Sequence, residues 1–367
     1  MRFQISREML LAPLSALTGV VERRHTLPVL ANILMRLDDD ALEMTASDCE
    51  VQLVTRQAVE VFESGSATVP ARKFLDIIRL LPDESLITLE VTSDRCLVRS
   101  GSSRFNLATL PVESYPAFDH GNADLEFELP AMMLRTALEK TAFAIAQQDV
   151  RYYLRGVLID LEGAVLRTVA SDGHRLAVFH EVMPTGFAVD HQIIVPRKGV
   201  LELCRLLGEY EGEVRLEASS NALRVQMGSV SFSTKLIEGR YPDYRRVFPP
   251  SFASTLHVAR DLFRGALSRV GLITTEKQRS IRLETLSSTE LMLSGHNTEQ
   301  DDAEERLEAH LEGQPIASGF NAQYLSEAIS HVAGSDLRIS FSPEGNSCLV
   351  EDPDDPRYRC VVMPMRL

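Results

Sequence analysis

Apolar positions recur at i, i+3, i+4 and i+7 three times along the chain, at nearly constant separation. Phe74, Ile77, Ile78 and Leu81 are followed by Val200, Leu203, Cys204 and Leu207, 126 residues on, and by Leu325, Ala328, Ile329 and Val332, a further 125. Each set marks one buried stripe of an amphipathic helix. A second stripe precedes each of these: Leu10, Leu14, Leu17, Val21; then Leu134, Leu138, Thr141, Ile145; then Phe263, Leu267, Val270. Six helices are therefore predicted, over 6–24, 70–82, 130–146, 196–208, 259–273 and 320–333. Pro13 has no N–H to donate, so the first helix is expected to start late or to bend there.

Between the helices the pattern shortens to that of strands. Arg36-Leu37, Ala41–Met44, Val51–Val54, Leu97–Arg99, Leu166–Val169 and Ser229–Ser233 all sit among turn residues. Local identity confirms the period. Val69-Pro70-Ala71-Arg72-Lys73 returns as Val195-Pro196-Arg197-Lys198, Ala46-Ser47-Asp48 as Ala170-Ser171-Asp172, and Tyr115-Pro116 as Tyr241-Pro242. Gly101 and Phe105 return as Gly228 and Phe232. An internal repeat of this length sets the fold: α+β, three tandem domains with two helices on antiparallel sheets each. The boundaries expected are 1–124, 125–252 and 253–367, at loop-like stretches near Asn122–Glu126 and Ser251–Thr255. Chains built from similar pieces close into rings when two copies meet head to tail.

Charge sharpens this picture. The chain carries a net −14, which by itself argues against a nucleic-acid partner, since phosphates need Lys and Arg. The six predicted helices, however, hold fourteen basic and seven acidic residues, leaving −21 elsewhere. Basic helices inside an acidic shell fit a ring that attracts duplex to its inner face and repels it outside. Good helix propensity of Arg and Lys gives the same bias without any DNA. Charge alone does not separate the two; the threefold repeat favours the ring.

Other classes find little support. No uncharged apolar run reaches the roughly 18 residues of a membrane span. Leu10–Val21 is interrupted by Pro13 and runs into Glu22-Arg23-Arg24 without a cleavage signature, so no secretory leader is expected. The five cysteines, Cys49, Cys96, Cys204, Cys348 and Cys360, form no CxxC pair; neither disulfides nor a metal site are expected, and a reducing cytoplasm fits. Ser171, Asp172 and His174 could suggest a hydrolase, but neighbours on one turn rarely converge as a triad, and no GxSxG, P-loop, GxGxxG or HExxH occurs. A DNA-independent adaptor scaffold would share the repeats and need no basic helices. No catalytic residue and no cofactor are assigned.

The stretches Arg24-His25-Thr26-Leu27-Pro28, Val69–Phe74, Gln148–Leu154, Ser171–Ala177, Tyr241–Val247 and Val361–Leu367 resemble the bacterial sliding clamps, the β subunits of DNA polymerase III. The resemblance spans the chain and is nearest to proteobacterial members. It implies three DNA-clamp domains and a head-to-tail homodimer that encircles double-stranded DNA without sequence preference. The expected protein is a processivity factor, an accessory subunit rather than an enzyme, cytoplasmic and associated with the nucleoid. DNA contacts carry over to Arg24, Arg72, Gln148, Tyr152 and Tyr153; the alternative for the tyrosines is ordinary packing on a strand. The polymerase catalytic subunit, the clamp loader, and repair and translesion proteins would dock short linear motifs in one pocket. That pocket carries over to Leu154, Ser171, Gly173, His174, Arg175, Leu176, Pro242, Arg246, Val247, Asn321, Tyr324, Ser347, Val361, Val362, Met363, Pro364, Met365, Arg366 and Leu367. Apolar walls with a cationic rim suit such peptides. For the dimer, Arg104, Phe105 and Leu107 at one end would face Leu272, Ile273, Glu299, Asp301, Asp302, Glu304 and Glu305 at the other. Three positions depart from the family pattern. Gln278 and Gly345 replace an aromatic and a small apolar residue at the pocket, which should make its rim more polar, and Ser102 replaces a basic residue near the dimer interface.

Overall fold

The computed structural model describes residues 1–22, 26–38, 40–92, 94–183, 188–274 and 280–365. Six helices form: α1 (Arg7–Val20), α2 (Ala71–Leu80), α3 (Ala131–Ala142), α4 (Arg197–Leu207), α5 (Arg260–Gly271) and α6 (Ala322–Ser330). Each lies where a stripe predicted it, with shorter ends. Val21 keeps its apolar contact as an extended C-cap residue, 3% exposed, and Ile145 is buried in the turn after α3.

Pro13 does not delay α1. The helix begins at Arg7, where Ser6 Oγ accepts the Met9 N–H at 3.4 Å, and it runs through Pro13. Leu10, Leu14 and Leu17 are each fully buried, and that packing outweighs the hydrogen bond Pro13 cannot make. In α2 the stripe is shifted slightly: Leu75 is buried and Ile77 only half-buried.

The chain divides into two compact units, Met1–Arg135 with Lys198–Leu236, and Thr136–Arg197 with Ile237–Leu367. The first unit holds a five-stranded antiparallel sheet in the order Glu60–Glu63, Arg2–Ser6, Leu86–Thr92, Arg95–Ser100, Ser103–Ala108. Its second, eight-stranded sheet is continuous across two repeats, because Val230–Lys235 pairs with Val51–Ala58 (Phe232 opposite Leu53). Helices α1 and α2 pack on each other in this unit.

The second unit repeats the scheme. A nine-stranded sheet runs from His191–Pro196 through Gly156–Glu162, Val165–Ser171 and Arg175–Val182 to Tyr358–Val362, Cys348–Glu351, Asp336–Phe341, Ser254–Ala259 and His310–Gly313. The join of repeats is Arg175–Val182 against Tyr358–Val362, with Ala177 opposite Cys360. A four-stranded sheet, Asp302–Glu308, Glu290–His296, Ser280–Thr285, Ala317–Asn321, completes it, and α5 packs on α6.

Candidate functional site

In the second unit a tight turn, Ser171–Arg175, connects two strands of the large sheet. Ser171 Oγ donates to the Arg175 carbonyl at 2.7 Å and accepts the Gly173 N–H at 3.1 Å. Asp172 Oδ1 accepts the backbone N–H groups of His174 (2.9 Å) and Arg175 (3.0 Å). Gly173 has φ +88, the left-handed region glycine enters freely. Ser47 and Asp48 build the same turn in the first repeat, with Cys49 at φ +72 in the glycine's place. The hydroxyl of Ser171 is therefore spent on the backbone, the carboxylate of Asp172 on the backbone and on Arg175, and the His174 ring stacks on Tyr324 at 6.2 Å. No triad assembles here.

The turn delivers Arg175, 7% exposed, into a buried junction. Its guanidinium pairs with Asp172 at 3.1 Å and with Glu327 of α6, and donates to the Phe143 carbonyl at 2.7 Å. It lies over the rings of Tyr324 (4.4 Å) and Phe143 (5.1 Å). Paired on every side, this charge is tolerated inside the fold.

Beside the turn opens a groove of about 220 Å³. Leu154, Leu176, Tyr241 and Tyr244 of its lining belong to a buried apolar cluster that continues beneath them through Leu158, Val169 and Val178. Burial pushes both tyrosine hydroxyls well above their usual range, so they stay neutral, and Tyr244 Oη donates to Asp160 at 2.8 Å. Of the pocket residues expected from sequence, Leu154, Ser171, Gly173, Arg175, Leu176, Pro242, Val247, Val361 and Met363 line the groove. Tyr153, expected at DNA, lines it too, edge-on to Tyr241 at 6.1 Å. Arg151, Tyr241, Asp243 and Tyr244 also line it and were not assigned from the sequence. The Tyr-Pro repeat could have flagged Tyr241 and its neighbours; Arg151 had no local signal.

The other pocket residues lie around this groove or behind it. Arg246 is exposed and reaches Asp243 Oδ2 at 3.1 Å. Val362 is buried opposite Arg175 in the sheet. Asn321 caps α6 by accepting the Gln323 and Tyr324 N–H groups. Met365 donates its N–H to the Gly319 carbonyl at 2.8 Å, beside half-buried Pro364. Ser347 is buried, with its hydroxyl on Asn346. Gly345 occupies a turn at φ +64 and does not line the groove. Arg24, Gln278, Arg366 and Leu367 lie outside the described residues.

Gln148 and Tyr152 are exposed, and the two tyrosines sit in a 3-10 turn, Tyr152–Arg155, rather than on a strand. In the first unit Arg72 is exposed and donates to the Val21 carbonyl at 3.0 Å, while Lys73 and Arg79 have no ion-pair partner among the described residues. Several other helix cations are neutralised locally: Arg7 by Asp83 (2.6 Å), Arg205 by Glu202 (2.5 Å), and Lys198 by Glu22 and Asp48. The basic face is thinner than a residue count suggests.

Arg104, Phe105 and Leu107 lie on Ser103–Ala108, an outer strand of the five-stranded sheet; Arg104 is exposed, the other two half-buried. Asp302, Glu304 and Glu305 lie on Asp302–Glu308, an outer strand of the four-stranded sheet. Glu305 is already paired with Arg269 at 2.5 Å. Leu272 is 82% exposed just beyond α5, with Ile273 half-buried beside it. Glu299 and Asp301 bound a turn whose N–H groups are held by Asn297, and Ser102 is exposed. Among the described residues no cluster of metal-ligating side chains occurs.

Comparison with known proteins bears on all of these features. The chain matches the family descriptions "DNA polymerase III beta subunit, N-terminal domain" over residues 1–119, "central domain" over 128–243 and "C-terminal domain" over 245–366. It is 44% identical to the beta sliding clamp of Vibrio cholerae and 42% identical to that of Escherichia coli K12, over the full length of both chains in each case. Among solved structures, the DNA polymerase III subunit beta of Pseudomonas aeruginosa superposes with a TM-score of 0.97 at 42% identity, covering both chains completely. A sliding clamp from the same species bound to griselimycin gives 0.94 at 42%, again with full coverage.

Proposed function

The chain belongs to the DNA polymerase III beta subunit family, the beta sliding clamps, and we propose that it works through one client groove per subunit and a basic inner face. It is a DNA sliding clamp: a homodimeric ring around duplex DNA that tethers the replicative polymerase and other clients. It has no catalytic site of its own. The domains divide at 124/125 and 252/253, and the protein acts in the cytoplasm, at the nucleoid.

The groove bounded by Leu154, Leu176, Pro242, Val247, Val361 and Met363 takes the apolar end of a client's linear motif, with the Arg175 junction behind it. That preformed apolar cavity is the observation that carries the reading. His174, Arg246, Tyr324 and Met365 form its outer rim. Micromolar affinity, about 8 kcal/mol, is enough for the peptide alone, because a client also held on the DNA gains effective concentration.

Arg24, Arg72, Gln148 and Tyr152 contact phosphate and sugar. Such contacts position the duplex without reading sequence, and so few of them bind weakly and lose strength with salt. Retention must then be topological. Loaded on circular plasmid, the protein should persist in moderate salt and should escape within minutes once the plasmid is cut. Equal lifetimes on the two substrates would refute encirclement, whereas a DNA-independent adaptor would show no retention on either.

A further inference from the structure

We infer that the join of the first two repeats carries a second copy of the client groove, and that polar wall positions close it to apolar peptides. The inference rests on the groove reading above and explains why each chain offers one such site.

Strand register identifies the matching positions. In the second unit Leu158 stands opposite Val169 and Ile194, and Ser171 opposite Leu176. In the first unit Leu34 stands opposite Thr45 and Thr68, and Ser47 opposite Gln52. Across each join, Leu176 faces Val361 and Gln52 faces Ser233. Thr45, Gln52, Thr68 and Ser233 therefore occupy the places of Val169, Leu176, Ile194 and Val361. Tyr115-Pro116 stands where the second repeat has Tyr241-Pro242.

Room is not what the first copy lacks. A cavity of about 320 Å³ lies there, lined in part by Thr45, Gln52, Tyr115, Pro116 and Phe118. Its walls differ in chemistry. Gln52 Oε1 and His120 Nδ1 are buried atoms without a hydrogen-bond partner among the described residues. Both side chains are half-buried on this lining, and an apolar group seated there would strip water from their remaining polar atoms and offer nothing in return, at a cost of roughly tenfold in affinity for each side chain. Arg36 and Glu43 add a charge pair, 3.7 Å apart, to the same lining. Thr68 is committed to the fold, since its hydroxyl donates to the Leu110 carbonyl (2.8 Å) and accepts the Leu110 N–H (2.9 Å). The Tyr115 hydroxyl is likewise held by the Thr45 carbonyl at 3.2 Å.

The test counts sites on the full-length dimer by calorimetric titration with a Gln-Leu-x-Leu-Phe peptide. The unaltered protein should take one peptide per chain. Thr45→Val, Gln52→Leu and Ser233→Val together, leaving Thr68 in place, should raise this to two, the new site within about tenfold of the old. A dimeric variant of unchanged melting temperature that still takes one peptide overturns the inference, as does an unaltered chain that takes two. The reverse exchange, Val169→Thr with Leu176→Gln, should weaken binding by about thirtyfold or more; undiminished binding overturns the inference even if the first variant fails to fold. Should the unaltered chain bind no peptide at all, the groove reading itself falls and takes this inference with it.

Discussion

The backbone N–H of Met363 donates to the carbonyl of His174 at 2.8 Å, fastening the C-terminal segment to the turn that builds the groove. Two residues on, Met365 makes the same kind of bond to Gly319. The segment thus bridges the Ser171–Arg175 turn and the strand Ala317–Asn321, and Met363 forms part of the groove wall. Deleting residues 363–367 should lower affinity for a client peptide at least tenfold, measured by fluorescence polarisation, through loss of apolar wall and of both anchors. The dimer should survive in light scattering, because the proposed contact strands lie elsewhere in the chain. Unchanged peptide binding would mean that the groove is misplaced.

Arg175 offers a test of stability rather than binding. It pairs with Asp172 and Glu327 and holds the Phe143 carbonyl while 7% exposed. Truncation leaves two carboxylates without their cation, and breaking a buried pair from one side costs about 3 kcal/mol or more. Arg175→Ala should lose that much in urea denaturation. Arg175→Lys should recover only part, since an ammonium cannot reproduce the planar fork or its stacking between two rings. A loss below about 1 kcal/mol for the alanine variant would show that water already serves these groups.

The sequence made some of this legible for a physical reason. A helix that buries one face must repeat its apolar residues every 3.6 positions, so Leu325, Ala328, Ile329 and Val332 announced α6 and are all buried. Helix ends carry no such constraint: Val21 stays in the core after the helix has ended. Strand pairing was less visible still. That Ala177 would lie opposite Cys360 is a long-range choice with no local signature, and the groove forms at that join. Most of its walls were named through family resemblance, and the Tyr-Pro repeat was the one local signal toward Tyr241 and Pro242. Tyr244 and Asp243, on a 3-10 turn that the Tyr244–Asp160 hydrogen bond ties to the sheet, went unassigned. Local pairing also qualifies the charge argument, because a count of helix charges does not say which are paired, and Lys198 and Arg205 are neutralised in the fold.

Stability should depend on pH through half-buried histidines. The His331 ring stacks on Phe143 at 4.3 Å, and its Nδ1 meets the Glu327 carbonyl at 2.8 Å. Burial above all, with Lys140 adding to it, holds its pKa below the ordinary 6.5, against the opposing pull of Glu327 and Glu139. His120 and His180 are lowered as well, chiefly by burial. As pH falls through 6.5 the unfolded chain takes up protons that the folded chain refuses. Stability is therefore full above about pH 6.5 and declines below it until each folded pKa is passed. His331→Phe keeps the stacking and removes one such proton site. Its melting temperature should fall less than that of the unaltered protein between about pH 7 and pH 5.5. Parallel declines would show that His331 does not contribute.

The dimer can be tested at its apolar anchors. Ser103–Ala108 and Asp302–Glu308 are both outer strands, each presenting unpaired N–H and C=O groups that invite another strand. Their charges are complementary: Arg104 is exposed on one, Asp302 and Glu304 on the other. Glu305 contributes less, being paired within its own chain to Arg269. Exposed ion pairs contribute little individually, so the attraction must come mainly from apolar burial, and Leu272 is 82% exposed at the C-cap of α5, the helix that packs on the acidic strand. Leu272→Ala with Ile273→Ala should cost about 2 kcal/mol per interface. A closed ring of two subunits contains that interface twice, so the dissociation constant should rise by roughly a thousandfold, about 4 kcal/mol. Added salt should weaken the unaltered dimer only modestly, since it screens the Arg104 side of the contact but not the apolar part. Sedimentation velocity across a nanomolar-to-micromolar range reads both effects. A double variant that stays wholly dimeric at the lowest concentration would place the interface somewhere other than these two strands.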